Sequence, residues 1–229
     1  IFKEVDLRLN FTAAFRTTAS REVLDPALLQ RRLLLCLFGI GTHVGLKCVA
    51  SQQPGVTVEE LRYVKRRFVR KEALRTAIAE VVNGTFRIRN PAIWGDATTA
   101  CAADSKQFGA YDQNLMTEWH ARYGGRGIMI YWHVETGSTC IYSKLRRCSS
   151  SEVAAMMEGV LRHCTDMEIE RQYVDSHGQS EVAFAFSHLL GLDLLPRLKA
   201  IAKQKLHVVE TGDAPRYGHL EPILTRAIH

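Results

Sequence analysis

The spacing of apolar and polar residues changes once along the chain, near Trp94-Gly95. Before that point the apolar positions recur at helical intervals. Asp25-Pro26 sets an N-cap residue before a proline at the first helical position, and the run ALLQRRLLLCLFGIG stops at Gly39 and Gly41. Thr57-Val58-Glu59-Glu60 has the spacing of a capping box and predicts one long helix through Val82. On that helix Leu61, Val64, Phe68, Leu74, Ile78 and Val81 share a face.

After Gly95 the runs shorten and alternate. TTACAAD, Thr98 to Asp104, predicts a strand ending in a carboxylate. RGIMIYWHVE, Arg126 to Glu135, predicts a second, with ETGS as a hairpin-type turn and TCIYSKL, Thr139 to Leu145, as its partner. Trp132, between Tyr131 and His133, is expected on the core face. EVAAMMEGVLRHC then carries Val153, Met156, Met157 and Val160 at helical spacing behind a serine cap. MEIERQYVD, Met167 to Asp175, predicts a strand, SEVAFAFSHLLG a helix and LDLLPRL one more strand.

The resulting order is βββαβαβ behind an α-helical segment, an α/β class with a mixed sheet and helices on its faces. The expected division is a helical part, residues 1–96, and a sheet part, residues 97–229. In such a sheet the first strand and the strand after the helix lie side by side. Asp104 and Asp175, 71 residues apart in sequence, are then expected to meet at strand ends, where ligand sites in open sheets lie.

Charge sharpens this division. Residues 1–96 hold 16 Lys/Arg against 9 Asp/Glu, and residues 97–229 hold 14 against 15. Arg62, Lys65, Arg66, Arg67, Arg70 and Lys71 put six cations within ten residues on the predicted long helix. A polyanion is the partner such a face suits, each phosphate contact adding salt-dependent affinity; solvation of a helix face is the plainer alternative. The six cysteines form no CxxC or zinc pattern and read as thiols of a reducing compartment. No apolar run reaches membrane-span length, and no leader opens the chain. A start at Ile1 rather than Met reads as a piece of a longer chain.

Paired acids need a chemical reason. Two like charges 4 Å apart repel by about 4 kcal/mol at an effective dielectric near 20, so such a pair persists when a proton or a cation sits between them. Mg²⁺ takes hard oxygen ligands, and two such ions can activate the attacking oxygen and stabilise the leaving one at a phosphodiester. Singly, Asp104 also reads as a helix N-cap and Asp175 as the start of an Asx-turn.

Four segments of the sheet part carry a family resemblance: ACAADSKQFGAYDQNLMTEWH, RYGGRGIMIYWHVE, SSSEVAAMMEGVLRHCTDMEIE and YVDSHGQSEVAFAFSHLLGLDLLPRLK. In the helical part ASREVLDPALLQRRLLLCLFGIGTHVGLKCVA and LRYVKRRFVRKEALRTAIAEVVNGTFRIRNPAIWG carry it too. Together they resemble the catalytic region of the large bacterial transposases of the Tn-three family. The resemblance implies an RNase H-like DDE enzyme that cleaves transposon ends and joins them to target DNA. It implies Asp104 and Asp175 as the first two acids of the triad, on a two-metal Mg²⁺ or Mn²⁺ site. The third, a Glu on a later helix, finds no matching position, and Glu181, Glu210 and Glu221 are weak substitutes.

The implied partners are terminal inverted repeats and target DNA, with a homo-oligomer in the intact protein, no membrane, and a bacterial cytoplasmic, nucleoid-associated setting. Lys106, Arg122, Arg126 and His177 are further candidates for DNA contact. Glu135 reads as an acid that either joins the cluster or closes the hairpin. Two alternatives stay open: an RNase H-like nuclease without strand transfer, and a non-catalytic DNA-binding remnant.

Overall fold

The computed structural model describes residues 1–17, 24–95, 99–198, 206–208, 216, 218–219 and 224–227. The helical part comprises α1 (Phe2–Leu9), α2 (Pro26–Gly41), α3 (Leu46–Ser51), α4 (Val58–Phe68), α5 (Lys71–Ile88) and α6 (Pro91–Trp94). The expected caps are present. Asp25 accepts the N–H groups of Ala27 and Leu28 at 3.0 and 3.1 Å, and Thr57 and Glu60 close a reciprocal capping box. That box and the Arg32 guanidinium hold the Glu60 carboxyl below its ordinary range.

The single long helix expected from Thr57 through Val82 is instead two, α4 and α5, parted at Val69-Arg70. Packing outweighs local propensity here. Leu61, Val64 and Phe68 of α4 are buried with Leu33 and Cys36 of α2, and α5 adds Ala77 to the same cluster before its later turns reach the sheet. There Val82 and Phe86 of α5 join Cys101, Ile141, Tyr142 and Met167 in one apolar cluster. Arg75 of α5 donates to the Tyr142 hydroxyl at 2.9 Å, and Arg89, just beyond it, pairs with buried Glu135 at 2.8 Å.

The sheet contains β1 (Ala100–Gly109), β2 (Glu118–His120), β3 (Gly125–Glu135), β4 (Cys140–Arg146), β5 (Arg171–Val174) and β6 (Asp193–Pro196). Helices α7 (Glu152–Arg162) and α8 (Glu181–Leu189) follow β4 and β5, and β7 (Leu206–Val208) pairs with β8 (Leu224–Ala227) separately. The strand order is β2-β3-β1-β5-β6, with β4 also on β3. β1, β3 and β4 run antiparallel, and β1, β5 and β6 run parallel. This is the mixed α/β arrangement with an α-helical segment in front that the RNase H-like expectation called for.

Three details differ from expectation, the first being β2, a fourth strand ahead of α7 where three were expected. β1 continues five residues past Asp104, so Asp104 stands mid-strand rather than at a strand end. Trp132 lies on the half-exposed sheet face, edge-on to Phe108 at 5.9 Å, while its neighbours Tyr131 and His133 are buried on the other. That buried face receives α7 and α8 over Ala103, Tyr131, Met156, Val174, Ala183 and Leu194. Gly159 permits the closest approach: a Cβ there would stand 1.9 Å from the His133 ring. His133 Nε2 lies 3.0 Å from the Met156 carbonyl and 3.2 Å from the buried Gln172 amide nitrogen. Burial, opposed by the Met156 contact, pushes the His133 imidazole down to about 4. All six cysteines are free thiols, and no helix of the described residues is long and apolar enough to cross a membrane.

Candidate active site

The parallel pairing of β1 with β5 ends at Ala103 opposite Val174. The next residue of each strand is Asp104 and Asp175. β1 runs on against β3 alone, while the chain after β5 turns through Ser176–Gly178, where the Gly178 N–H returns to the Asp175 carbonyl at 3.1 Å. The two acids are thus brought together by register. Parallel strands hydrogen-bond with a fixed stagger, so the residues that leave the ladder do so together.

Both line an open cleft of about 740 Å³, walled also by Ser105, His120, Arg122, Tyr123, Glu152 and Arg197. The Asp104 carboxylate is exposed and accepts the Ser105 N–H at 2.6 Å, and Asp175 is half-buried. Glu152, the first residue of α7, accepts the Ser105 hydroxyl at 2.7 Å and faces buried Arg146 at 3.3 Å. Beneath them Tyr131 is buried. Burial, and then the charges of Glu152, Asp175 and Asp104, push its phenol far above the ordinary range, with Arg146 opposing. The three carboxylates therefore act on one buried hydroxyl, which stays protonated.

Hard carboxylate oxygens on the Asp104–Asp175 pair suit Mg²⁺ or Mn²⁺, which take one or two such ligands plus water and phosphate oxygens. Glu152 is already engaged by a hydroxyl and a guanidinium. Among the described residues, no group of three or more His, Cys, Asp or Glu is placed to hold one ion.

The other candidates divide. Arg122 lines the cleft; Lys106, exposed two residues along the same strand face as Asp104, does not. Arg126 is outside it, paired with Asp112 at 3.4 Å. The side chain of His177, and Glu210 and Glu221, lie outside the described residues. Glu181 is exposed at the start of α8 and is not among the cleft residues, and Glu135 is spent on Arg89. Arg62, Lys65, Arg66 and Arg67 are exposed on α4, while Arg70 and Lys71, also exposed, open α5.

Sequence reading missed His120, Glu152 and Arg197. Glu152 resembled a helix-capping acid and Arg197 the tail of a strand. The parallel β5–β6 pairing held the signal for Arg197, because it delivers the residue after Pro196 to the same sheet end as Asp175.

The family model described as "Tn3 transposase DDE domain" matches residues 1–229. The transposase for transposon Tn1546 of Enterococcus faecium is 30% identical over 198 residues, which is 86% of this chain and 20% of that protein. The transposase for transposon Tn2501 of Escherichia coli is 30% identical over 98% of this chain and 22% of its own length. The chain therefore spans about a fifth of the length of the curated relatives it matches. Among solved structures, the piggyBac transposase synaptic complex with hairpin DNA aligns over 85% of this chain and 49% of its own, at 8% identity and a TM-score of 0.41. The Mos1 transposase paired-end complex aligns over 78% and 62%, at 12% identity and 0.31.

Proposed function

The chain belongs to the Tn3 transposase DDE-domain family, and from that membership we propose that it carries the cleavage and strand-transfer centre of a transposase, with Asp104 and Asp175 as two of the metal-binding acids. One observation supports this most: the two acids leave the β1–β5 ladder together and share an open cleft. In this proposal Asp104 and Asp175 present their oxygens to Mg²⁺ or Mn²⁺, and the third carboxylate comes from outside the described acids of the cleft. The metal, when bound, supplies Lewis-acid stabilisation of the phosphoryl centre and activation of the attacking oxygen.

The reaction proposed is an in-line displacement at phosphorus. A water oxygen attacks the scissile phosphate, gives up its proton, and the 3′ oxygen leaves and is protonated. The freed 3′-hydroxyl then attacks a target phosphodiester, forming one bond as another breaks, without a covalent enzyme intermediate. Asp104 and Asp175 fix the geometry, Tyr131 stays neutral behind them, and Arg122 and Arg197 offer positive charge to the DNA. In the division proposed, residues 1–96 handle DNA through the α4 cations and residues 97–229 carry the chemistry. The partners proposed are transposon ends, target DNA and further copies of the protein, in a bacterial cytoplasm at the nucleoid.

The test supplies labelled DNA bearing a terminal repeat, a target duplex and Mg²⁺. Nicking followed by joining to the target, both lost in Asp104→Asn and Asp175→Asn, is the expected result. Hydrolysis without joining would favour a nuclease. DNA binding with neither activity would favour a non-catalytic remnant.

A further inference from the structure

The wall of the cleft facing the acids is the β2–β3 hairpin, which is short but pinned from both sides. Glu118 pairs with Gly127 and His120 with Gly125 across the hairpin. The N–H groups of Tyr123 and Gly124 both return to the His120 carbonyl, at 3.2 and 3.0 Å, with Gly124 in the left-handed region at φ 61°. At the base, the Glu118 carboxylate accepts the Ser149 N–H at 2.9 Å from the loop before α7. That hydrogen bonding to Ser149 holds its carboxyl below the ordinary range. From β1, the Gln107 side chain donates to the Gly125 carbonyl at 3.0 Å.

The tip so held aims charge and a flat ring into the cleft. The rings of His120 and Tyr123 are 4.8 Å apart, and the exposed Arg122 guanidinium lies 5.7 Å from the Tyr123 ring. On the opposite side, the Arg197 N–H bonds the Val174 carbonyl at 2.9 Å, which sets Arg197 beside Asp175. Nearby cations are committed: Arg146 to Glu152, Arg147 to Glu118, Arg126 to Asp112. Among the described residues Arg122 and Arg197 enter no ion pair, and both line the cleft above its carboxylates.

Resting on the transposase reading, we infer that Arg122 and Arg197 form a phosphate clamp. They grip phosphodiesters on either side of the one that lies over Asp104 and Asp175, with the Tyr123 ring, braced by His120, against the sugar or base. The ligand is the backbone of one DNA strand. The cleft is open and about 740 Å³, with room for a short stretch of single strand. The bond geometry is set by the acids, so these two arginines act as positioning residues.

The experiment is anisotropy binding of a fluorescein-labelled duplex with a single-stranded tail to the full chain, over a salt series, with Ca²⁺ replacing Mg²⁺. Arg122→Ala and Arg197→Ala each weaken binding several-fold at low salt and flatten the slope of log affinity against log salt by about 0.7, one single-strand contact. Arg122→Lys retains the slope. Folded Arg122→Ala and Arg197→Ala proteins with the wild-type slope overturn the clamp. Asp104→Asn, measured alongside, keeps the wild-type slope and loses Mg²⁺-dependent nicking. If it still nicks, the catalytic reading falls, whatever the arginines do; if the wild-type chain binds no DNA at low salt, both fall.

Discussion

Two regions of this molecule suit the same polyanion by opposite designs. On α4, Arg62, Lys65, Arg66 and Arg67 are exposed on one short helix, and among the described residues the ion pair on that face is Arg62 with Glu59 at 3.6 Å. The region is local in sequence, and its charge is free to follow any phosphate backbone. In the cleft, Asp104, His120, Arg122, Glu152, Asp175 and Arg197 come from five separate stretches of chain, braced by partners such as Ser105, Arg146 and Ser149. Generic affinity needs only charge density. Phosphoryl transfer needs groups held to a fraction of an ångström, and here strand register and bracing contacts set them.

The largest way to break the comparison is at the acids. Asp104→Asn or Asp175→Asn is expected to lower metal-dependent strand nicking by at least about 10³-fold, several kcal/mol of transition-state stabilisation, in a gel assay. DNA affinity in the same protein should hold, because the α4 cations are untouched.

Next is acid. Unfolded, His133 takes up a proton near 6.5; folded, burial delays this to about 4. Protons therefore favour the unfolded chain between those values. The stability is whole above pH 6.5 and declines as pH falls to 4, by up to about 3 kcal/mol. Urea midpoints against pH would follow it, and His133→Asn should flatten the curve without abolishing it, since burial also lowers His163.

Smaller is the effect of filling the close contact between α7 and His133 behind the cleft. Gly159→Ala sets a methyl against the His133 ring and is expected to cost about 1–3 kcal/mol, read as a fall in Tm. Smallest is charge reversal on the helix. Arg66→Glu with Arg67→Glu should weaken DNA binding about tenfold at low salt and flatten the salt slope. Unchanged affinity would remove α4 from the interface.

Legibility differed between the regions for a physical reason. Caps and amphipathic faces are set by residues three or four apart, so Asp25, the Thr57–Glu60 box and the α4 cations could be read directly. The break at Val69-Arg70 could not, because where α4 ends and α5 begins depends on how both pack against α2 and the sheet, not on local spacing. Asp104 and Asp175 were recognisable as partners from the order of strands. Their placement was not, since the end of β1 depends on how far it pairs with β3.

By itself, then, the sequence determined the change from helices to a sheet, most of the main strands, the capped helix starts and the basic stretch, all properties of local spacing and type, and it offered Asp104 and Asp175 as candidate acids. Tertiary structure alone decided that Asp104 stands mid-strand, that Glu152 is held by Ser105 and Arg146, that Arg122 faces the acids across the cleft and that Arg197 stands beside Asp175. Those are matters of register and packing between distant segments, where the energies that choose one arrangement come from contacts that no local pattern encodes.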